Sequence, residues 1–172
     1  MDLTGTYPQA RGVGGELYHP DNLTVEWFVL SRKERACMFK TILVEDNLVF
    51  RESLRDSLQL QFPSMKIAEA GDGLEALEKI DSLSPNLIFM DIRLPGQNGL
   101  ELTEKIKKLH PEITIIILTS YDIPEYREAA ARFKADHFFS KDSMTQQEVN
   151  ALVKSILTEK GFKRDGSKRH RS

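Results

Sequence analysis

The chain has 172 residues, a formal net charge of −2 and 40% hydrophobic residues, a composition that predicts one globular domain of ordinary size with short extensions. Its single cysteine, Cys37, excludes an internal disulfide bond and a cysteine-ligated metal cluster. No apolar run reaches the roughly 18 residues of a membrane-spanning helix, and the N-terminus lacks the basic start and apolar core of a secretory signal. We therefore expect a cytoplasmic protein with no membrane partner.

The two ends of the chain differ in composition from its middle. Residues 1–37 are rich in glycine and proline and show no sustained hydrophobic period, so we predict a flexible N-terminal extension there. Met38 directly precedes the first clear strand and is a second candidate for the start of the physiological chain. Residues 161–172 form a basic C-terminal tail. Between them we predict one domain over 38–160, whose acidic balance does not favour a nucleic-acid surface.

Five apolar runs of β-type composition follow one another from residue 39 onward. They are FKTILV (39–44), MKIAEA (65–70), NLIFMD (86–91), ITIIILT (113–119) and HFFS (137–140). Three of them are continuously apolar over most of their length, which is typical of parallel strands covered by helices on both faces. We therefore predict that each run is a strand of one sheet.

The stretches between these runs carry apolar residues at helical spacing. The predicted helices are 47–62, 72–83, 98–110, 123–134 and 143–159. Leu74, Leu109 and Ile123 fall on the predicted buried sides of three of them. Alternation of five strands with five helices predicts an α/β fold, a three-layer α/β/α sandwich around a five-stranded parallel sheet with right-handed crossovers.

Polar residues directly follow four of the predicted strands. Glu45 and Asp46 end the first strand, Asp91 the third, Thr119 the fourth and Lys141 the fifth. The carboxyl ends of parallel strands share one edge, where such sheets bind ligands, so we expect these groups to converge. Three convergent carboxylates repel one another unless a cation lies between them, and Mg²⁺ suits a site with few carboxylates and several waters. A hydroxyl and an ammonium opposite them suit a bound phosphoryl group.

Each of these residues has a simpler interpretation when it is taken alone. Acidic residues in a strand-to-helix loop are usually solvated, and an aspartate such as Asp91 often serves a turn. Thr119 could cap the next helix, and a single lysine generally lies on the surface. The chain would lack a metal and phosphoryl site only if all of these simpler interpretations were correct at once. The occurrence of all these residues at strand ends favours such a site.

Four segments of the chain resemble the receiver domain of two-component response regulators. They are ILVEDN (42–47), LIFMDIRLPGQNGLEL (87–102), IIILTS (115–120) and FFSKDS (138–143). The resemblance covers roughly residues 38–160, its D-x-x-L-P-G-x-x-G run is highly specific, and it is closest to receivers found with LuxR-type output domains. It implies a chemotaxis-receiver-like fold with flavodoxin-like (βα)5 topology and strand order 2-1-3-4-5.

The resemblance also implies a role for each residue at the strand ends. Asp91 matches the aspartate that accepts a phosphoryl group, and Lys141 and Thr119 match the lysine and the hydroxyl that bind this group. Thr119 and Phe138 match the switch residues, with phenylalanine at a position where tyrosine is common. The implied ligands of Mg²⁺ are Asp46, Asp91, the main-chain carbonyl of Arg93 and, through a water molecule, Glu45.

Two further residues flank the implied acceptor and the switch hydroxyl. Arg93 stands two positions after Asp91, and Tyr121 stands two positions after Thr119. Both are large enough to crowd a water molecule that attacks a phosphorylated aspartate. We therefore predict slower self-dephosphorylation than small residues at these positions would give.

The resemblance implies a sensor histidine kinase or a phosphotransfer protein as the phosphoryl donor. We expect phosphorylation to switch protein–protein interactions, including a phosphorylation-dependent homodimer. The same residues would serve a phosphorelay intermediate that passes the group to a histidine phosphotransfer protein, or the receiver part of a DNA-binding transcriptional regulator. Nucleic-acid binding by the basic tail is a further alternative, with a solubilising terminus as its simpler interpretation.

An enzymatic alternative is a phosphatase of the haloacid-dehalogenase type with an aspartate nucleophile. Such enzymes carry a D-x-D pair at the end of their first strand. Here Asp91 ends the third strand, and Arg93 occupies the second position after it. We therefore expect no enzyme in the usual sense, but a chain that promotes its own phosphorylation and dephosphorylation.

Overall fold

A computed structural model describes residues 38–162; the predicted extension over 1–37 and most of the basic tail lie outside the described residues. The elements in chain order are β1 (Lys40–Val44), α1 (Leu48–Gln61), β2 (Lys66–Ala70), α2 (Gly73–Leu83), β3 (Leu87–Met90), β4 (Arg93–Leu94), β5 (Gln97–Asn98), α3 (Gly99–Leu109), β6 (Thr114–Thr119), α4 (Pro124–Arg132), β7 (His137–Ser140) and α5 (Gln146–Glu159). None of the helices in this part of the chain combines the length and the apolar character of a bilayer-crossing segment.

Five parallel strands form the central sheet in the order β2-β1-β3-β6-β7. This is the predicted order 2-1-3-4-5, because β4 and β5 pair with each other in a separate antiparallel hairpin. The predicted α/β sandwich is therefore confirmed. The hairpin itself was not predicted, although its turn has a local signal: Pro95 is followed by Gly96, whose φ is 72°, as a type II turn requires.

The sheet separates two apolar cores. Ile42 and Val44 of β1 point into one core with residues of α2, α3 and α4, while Leu43 points into the other with residues of α1 and α5. Each strand supplies both cores because successive side chains point to opposite faces. Burial on both faces explains why β3 is apolar throughout, as all four of its residues are buried.

Side-chain caps set the start of four helices. Asn47, Asp72 and Asn98 accept hydrogen bonds from main-chain N–H groups at the N-termini of α1, α2 and α3. Thr145 and Glu148 form a reciprocal capping box at the start of α5. These caps satisfy N–H groups that a helix leaves without partners, and so fix the residue at which each of the four helices begins. Each of these helices begins within a few residues of the end of the preceding strand.

Three apolar residues predicted to be buried are exposed. Leu74 is 69% exposed, because the buried side of α2 runs through Ala76 and Ile80 and a shift of one residue turns a side chain by about 100°. Leu109 is 74% exposed at the last residue of α3, where the chain leaves the core. Ile123 is 41% exposed because it precedes the first turn of α4 as its N-cap.

Candidate functional site

Three carboxylates lie together at the carboxyl ends of β1 and β3. Glu45, Asp46 and Asp91 each offer an oxygen within 4.8 Å of the others. The two strands are neighbours, and the N–H of Asp91 donates to the carbonyl oxygen of Val44 at 2.9 Å. Glu45 and Asp91 are buried while Asp46 is exposed, so this acidic cluster opens to solvent on the side of Asp46.

Lys141, directly after β7, brings its ammonium into the cluster. Its Nζ lies 2.5 Å from Oε2 of Glu45 and 3.3 Å from Oδ2 of Asp91, and its side chain is only 10% exposed. The ring of Phe50 lies 4.8 Å from the same nitrogen, in the range of a cation–π contact. The sequence predicted that Lys141 faces the carboxylates, but its closest contact with Glu45 was not foreseen.

The charges of this cluster are not balanced. Burial raises the pKa of the Asp91 carboxyl, and the charge of Asp46 adds to the effect, while Lys141 offsets only part of it. Burial also raises the pKa of Glu45, with a contribution from the charge of Asp91, against hydrogen bonds from Lys141 and the N–H of Asn47. One ammonium therefore does not compensate the buried carboxylates, and a further positive charge would relieve them.

Thr119 lies at the same edge, between β3, which precedes Asp91, and β7, which precedes Lys141. It is the last residue of β6, it is fully buried, and β6 pairs with β3 on one side and β7 on the other. Its carbonyl accepts from the N–H of Lys141 at 2.9 Å, and its hydroxyl accepts from the N–H of Tyr121 at 3.2 Å. Strand pairing thus brings the predicted hydroxyl to the edge that carries Asp91 and Lys141.

The loop after Asp91 folds back tightly onto the main chain of Asp91. Oδ1 of Asp91 accepts from the N–H of Ile92 at 2.8 Å, and the N–H of Gly99 donates to the carbonyl of Ile92, also at 2.8 Å. A Cβ atom on residue 99 would collide with the main-chain oxygen of Asp91. Glycine is therefore needed at position 99 for this close approach.

Two arginines contact aromatic residues near this edge. The guanidinium of Arg93 lies 3.7 Å from the ring centre of Tyr121, which joins the β4–β5 hairpin to the loop after β6. Arg127 of α4 lies 4.6 Å from the ring centre of Phe138 and forms an ion pair with Asp122 at 2.5 Å. Phe138 is partly buried. Sequence reasoning named Arg93, Tyr121 and Phe138 but missed Arg127, whose contact depends on how α4 packs on β7.

The donor set of the cluster fits a hard divalent cation. Its three acidic side chains could each offer a carboxylate oxygen, and together they carry more negative charge than Lys141 neutralises. Hard oxygen donors with little nitrogen or sulfur favour ions such as Mg²⁺ over softer metals. The described residues therefore could hold a metal at the position that the sequence predicted.

The fold and this site define a receiver of the CheY type, and the comparison with known families agrees. Residues 41–157 match the family model of the response regulator receiver domain. The chain belongs to this family, whose members are the receiver domains of two-component response regulators. The resemblance seen in the sequence is thereby confirmed.

Two curated relatives are similar to this chain over about 70% of its length. The transcriptional regulatory protein LnrK of Bacillus subtilis is 33% identical over 121 residues, covering 70% of this chain and 53% of LnrK. The response regulatory protein SERP2406 of Staphylococcus epidermidis is 36% identical over 124 residues, covering 70% and 49%. The chain thus spans about half the length of these two curated relatives.

Two solved structures have a fold similar to that of this chain, each at slightly under 30% sequence identity. A CheY-like receiver domain from Methanospirillum hungatei superposes with a TM-score of 0.66 at 27% identity, covering 71% of this chain and 95% of that one. A DNA-binding response regulator of the LuxR family from Staphylococcus aureus gives a TM-score of 0.64 at 28% identity, covering 69% and 98%.

Proposed function

We propose that Asp91 accepts a phosphoryl group from a phosphohistidine of a sensor histidine kinase or phosphotransfer protein, and that this switches the protein contacts of the chain. The observation that carries the proposal is the unbalanced cluster around Lys141. The ammonium lies 3.3 Å from Oδ2 of Asp91 and 2.5 Å from Oε2 of Glu45. A cation held beside a carboxylate nucleophile is the arrangement that phosphoryl transfer needs.

The chain's own groups position and stabilise the transfer. Oδ1 of Asp91 is held by the N–H of Ile92 at 2.8 Å, which leaves Oδ2 to form the new bond to phosphorus. As that O–P bond forms, the P–N bond of the donor breaks and the imidazole nitrogen keeps the electron pair and then takes a proton. Lys141 neutralises charge on the phosphoryl oxygens, and the hydroxyl of Thr119 donates a hydrogen bond to one of them.

We assign the metal to the acidic cluster. The side chains of Asp46 and Asp91 and the main-chain carbonyl of Arg93 would hold Mg²⁺, with Glu45 acting through a water molecule. Bound there, the ion supplies charge neutralisation for the phosphoryl oxygens. The support for this assignment is the group of three carboxylates within 4.8 Å and the raised pKa of two of them.

Phosphorylation is read out through Thr119 and Phe138 in this proposal. The hydroxyl of Thr119 moves toward the phosphoryl group, and the ring of Phe138 turns inward to fill the space behind it. Because phenylalanine has no hydroxyl, packing alone holds the inward ring. The aspartyl phosphate is later hydrolysed in the same site, so the chain promotes both steps without turning over a separate substrate.

Phosphorylation of the full chain by acetyl phosphate tests the proposal directly. With Mg²⁺ present, the intact mass should increase by one phosphoryl group, and the increase should disappear in Asp91→Asn or after removal of the metal. Size measurements with beryllofluoride test whether the activated form dimerises. An unchanged mass increase in Asp91→Asn would place the acceptor elsewhere and refute the assignment.

A second candidate concerns the output, and the relatives favour it. LnrK is named a transcriptional regulatory protein, and the Staphylococcus aureus neighbour is named a DNA-binding response regulator. We propose on this basis that the domain over 38–160 serves as the receiver of a transcriptional regulator, with 1–37 and 161–172 outside that domain. Phosphorylation-dependent DNA binding by the natural protein would support it, whereas phosphoryl transfer from Asp91 to a histidine phosphotransfer protein would favour a relay.

A further inference from the structure

Arg51 lies behind the acidic cluster, at the fourth residue of α1. Its Nη1 donates to the main-chain oxygen of Glu45, and its Nε donates to Oε2 of Glu69 at 3.1 Å. Its side chain is only 15% exposed. The guanidinium therefore bridges the loop that carries Glu45 and Asp46 and the end of the neighbouring strand β2.

The carbonyl that Arg51 holds belongs to the peptide group between the two acidic residues of the loop. The other polar groups of Glu45 have different partners: its N–H donates to Ala70 at 3.0 Å, and its carboxylate accepts from Asn47 and Lys141. Strand pairing ends at Val44, and the guanidinium of Arg51 is the partner of this carbonyl. The orientation of the Glu45–Asp46 peptide, and with it the position of the Asp46 carboxylate, depends on Arg51.

The guanidinium of Arg51 is itself held in place by Glu69 of β2. Desolvation acts to raise the pKa of Glu69, but hydrogen bonds from Arg55 and Arg51 lower it below the ordinary value, so this carboxylate stays ionised. Arg55 contacts Glu69 at 2.8 Å. A planar guanidinium can donate in two fixed directions at once, which a lysine ammonium on a flexible chain does not reproduce.

We propose that Arg51 is a positioning residue of the metal site, which sets the affinity for a divalent cation by holding the Glu45–Asp46 loop without contacting the ion. The inference rests on the proposed metal binding by this cluster. Groups that orient metal ligands typically change the affinity for the metal about 10- to 100-fold when they are removed. Arg51 is such a group for two of the proposed ligands.

Magnesium titration of the full chain, followed by calorimetry and by the amide signals of residues 45–47, tests the inference without any phosphoryl donor. Arg51→Gln should raise the Kd for Mg²⁺ about tenfold. Arg55→Gln is the matched control, because Arg55 lies on the same helix and binds the same Glu69; its Kd should change less than about twofold. Arg51→Lys keeps the charge but not the bridge, and should weaken binding nearly as much as Arg51→Gln.

A kinetic measurement separates positioning from general damage to the fold. The rate of phosphorylation by acetyl phosphate is measured against the concentration of Mg²⁺. In Arg51→Gln the half-saturating concentration should rise about tenfold, with the maximal rate within about twofold of the unmodified chain. A lower maximal rate at saturating Mg²⁺ would indicate a structural role and overturn the inference.

The possible failures are distinguishable. If the unmodified chain does not bind Mg²⁺, or if Asp46→Asn binds it equally well, the proposed metal site fails and the inference fails with it. If the unmodified chain binds Mg²⁺ and Asp46→Asn does not, but Arg51→Gln or Arg51→Lys binds as tightly as Arg55→Gln, only the role of Arg51 is refuted.

Discussion

The amino ends and the carboxyl ends of the strands carry charged side chains in opposite arrangements. At the amino ends of the strands, the ammonium of Lys107 lies 2.5 Å from Oδ2 of Asp136 and 2.7 Å from the carbonyl oxygen of Ile113. The same carboxylate oxygen accepts from the N–H of Ile115 at 2.7 Å. Every charge in this group has a partner of opposite sign or a main-chain hydrogen bond.

The carboxyl edge has the same chemical groups in a different ratio. Three carboxylates share one ammonium there, and burial raises the pKa of Asp91 and Glu45. A balanced ion pair needs no further charge, whereas a buried cluster with an excess of one sign lowers stability unless a ligand supplies the missing charge. The difference supports the proposal that the carboxyl edge binds a cation, while the amino edge carries a charge pair that needs no ligand.

Removal of the Lys141 ammonium, which lies between Glu45 and Asp91, should have the largest effect on phosphorylation. We expect Lys141→Met to lower the rate of phosphorylation by acetyl phosphate about 100-fold, because its ammonium lies 3.3 Å from Oδ2 of Asp91 and would neutralise the transferred group. Rates at saturating Mg²⁺ measure this. Lys107→Met is the control at the opposite edge and should leave the rate unchanged; equal losses in both variants would contradict a functional difference between the edges.

The same control variant should have its own effect on folding. Lys107→Met should lower the free energy of unfolding by about 1–2 kcal/mol, since it leaves Asp136 without its cation and frees the carbonyl of Ile113. The estimate is modest because the Asp136 side chain is 38% exposed. Urea unfolding monitored by circular dichroism measures it. Unchanged stability would show that the amino-edge pair does not hold α3 to the sheet.

Neutralising Asp91 should raise the free energy of unfolding, whereas Lys107→Met should lower it. Asp91→Asn should stabilise the metal-free chain by on the order of 1 kcal/mol, because it removes a carboxylate that is buried among like charges. The folded-state pKa of Asp91 lies above its ordinary 3.8, so the cost of this charge is absent below pH 3.8 and grows as the pH rises through the folded-state pKa. Thermal unfolding at neutral and acidic pH should therefore show a gain that shrinks on acidification; a destabilised variant at neutral pH would contradict this.

Much of the fold was predictable because its signals are local. Continuous apolar runs mark strands covered on both faces, and caps such as Asn47 and Asp72 mark helix starts. The site was predictable for a related reason: parallel strands bring their carboxyl ends to one edge, so Glu45, Asp46 and Asp91 had to lie near one another. The exposure of Leu74 was not predictable from spacing, because a shift of one residue along a helix decides whether a side chain faces the core or the solvent.

Contacts between elements left no signal in the sequence. The pairing of Lys141 with Glu45 depends on the rotamer of a long side chain between two carboxylates at 2.5 and 3.3 Å. The bridge made by Arg51 depends on how closely α1 packs beside the end of β2. No local pattern encodes either distance, so the residues of the acidic cluster could be named from the sequence but its charge pairing could not.

The smallest expected effect concerns the stacked pair of Arg93 and Tyr121 at the carboxyl edge. Their contact at 3.7 Å joins the loops that follow Asp91 and Thr119, and we predict that it obstructs the water that attacks a phosphorylated Asp91. A cation–π contact at an exposed position contributes about 0.5–1 kcal/mol, so Arg93→Ala or Tyr121→Ala should shorten the lifetime of the aspartyl phosphate about threefold. Decay of the phosphorylated mass after removal of acetyl phosphate measures the lifetime.

A matched control is available in another cation–π pair. Arg132 lies 4.8 Å from the ring centre of Phe133 at the end of α4, so Arg132→Ala removes a similar contact far from the acceptor and should leave the lifetime unchanged. The double variant Arg93→Ala with Tyr121→Ala should decay no faster than either single variant, because each one already breaks the pair. Lifetimes that multiply in the double variant would mean that the two side chains obstruct water separately, and that their stacking does not slow hydrolysis.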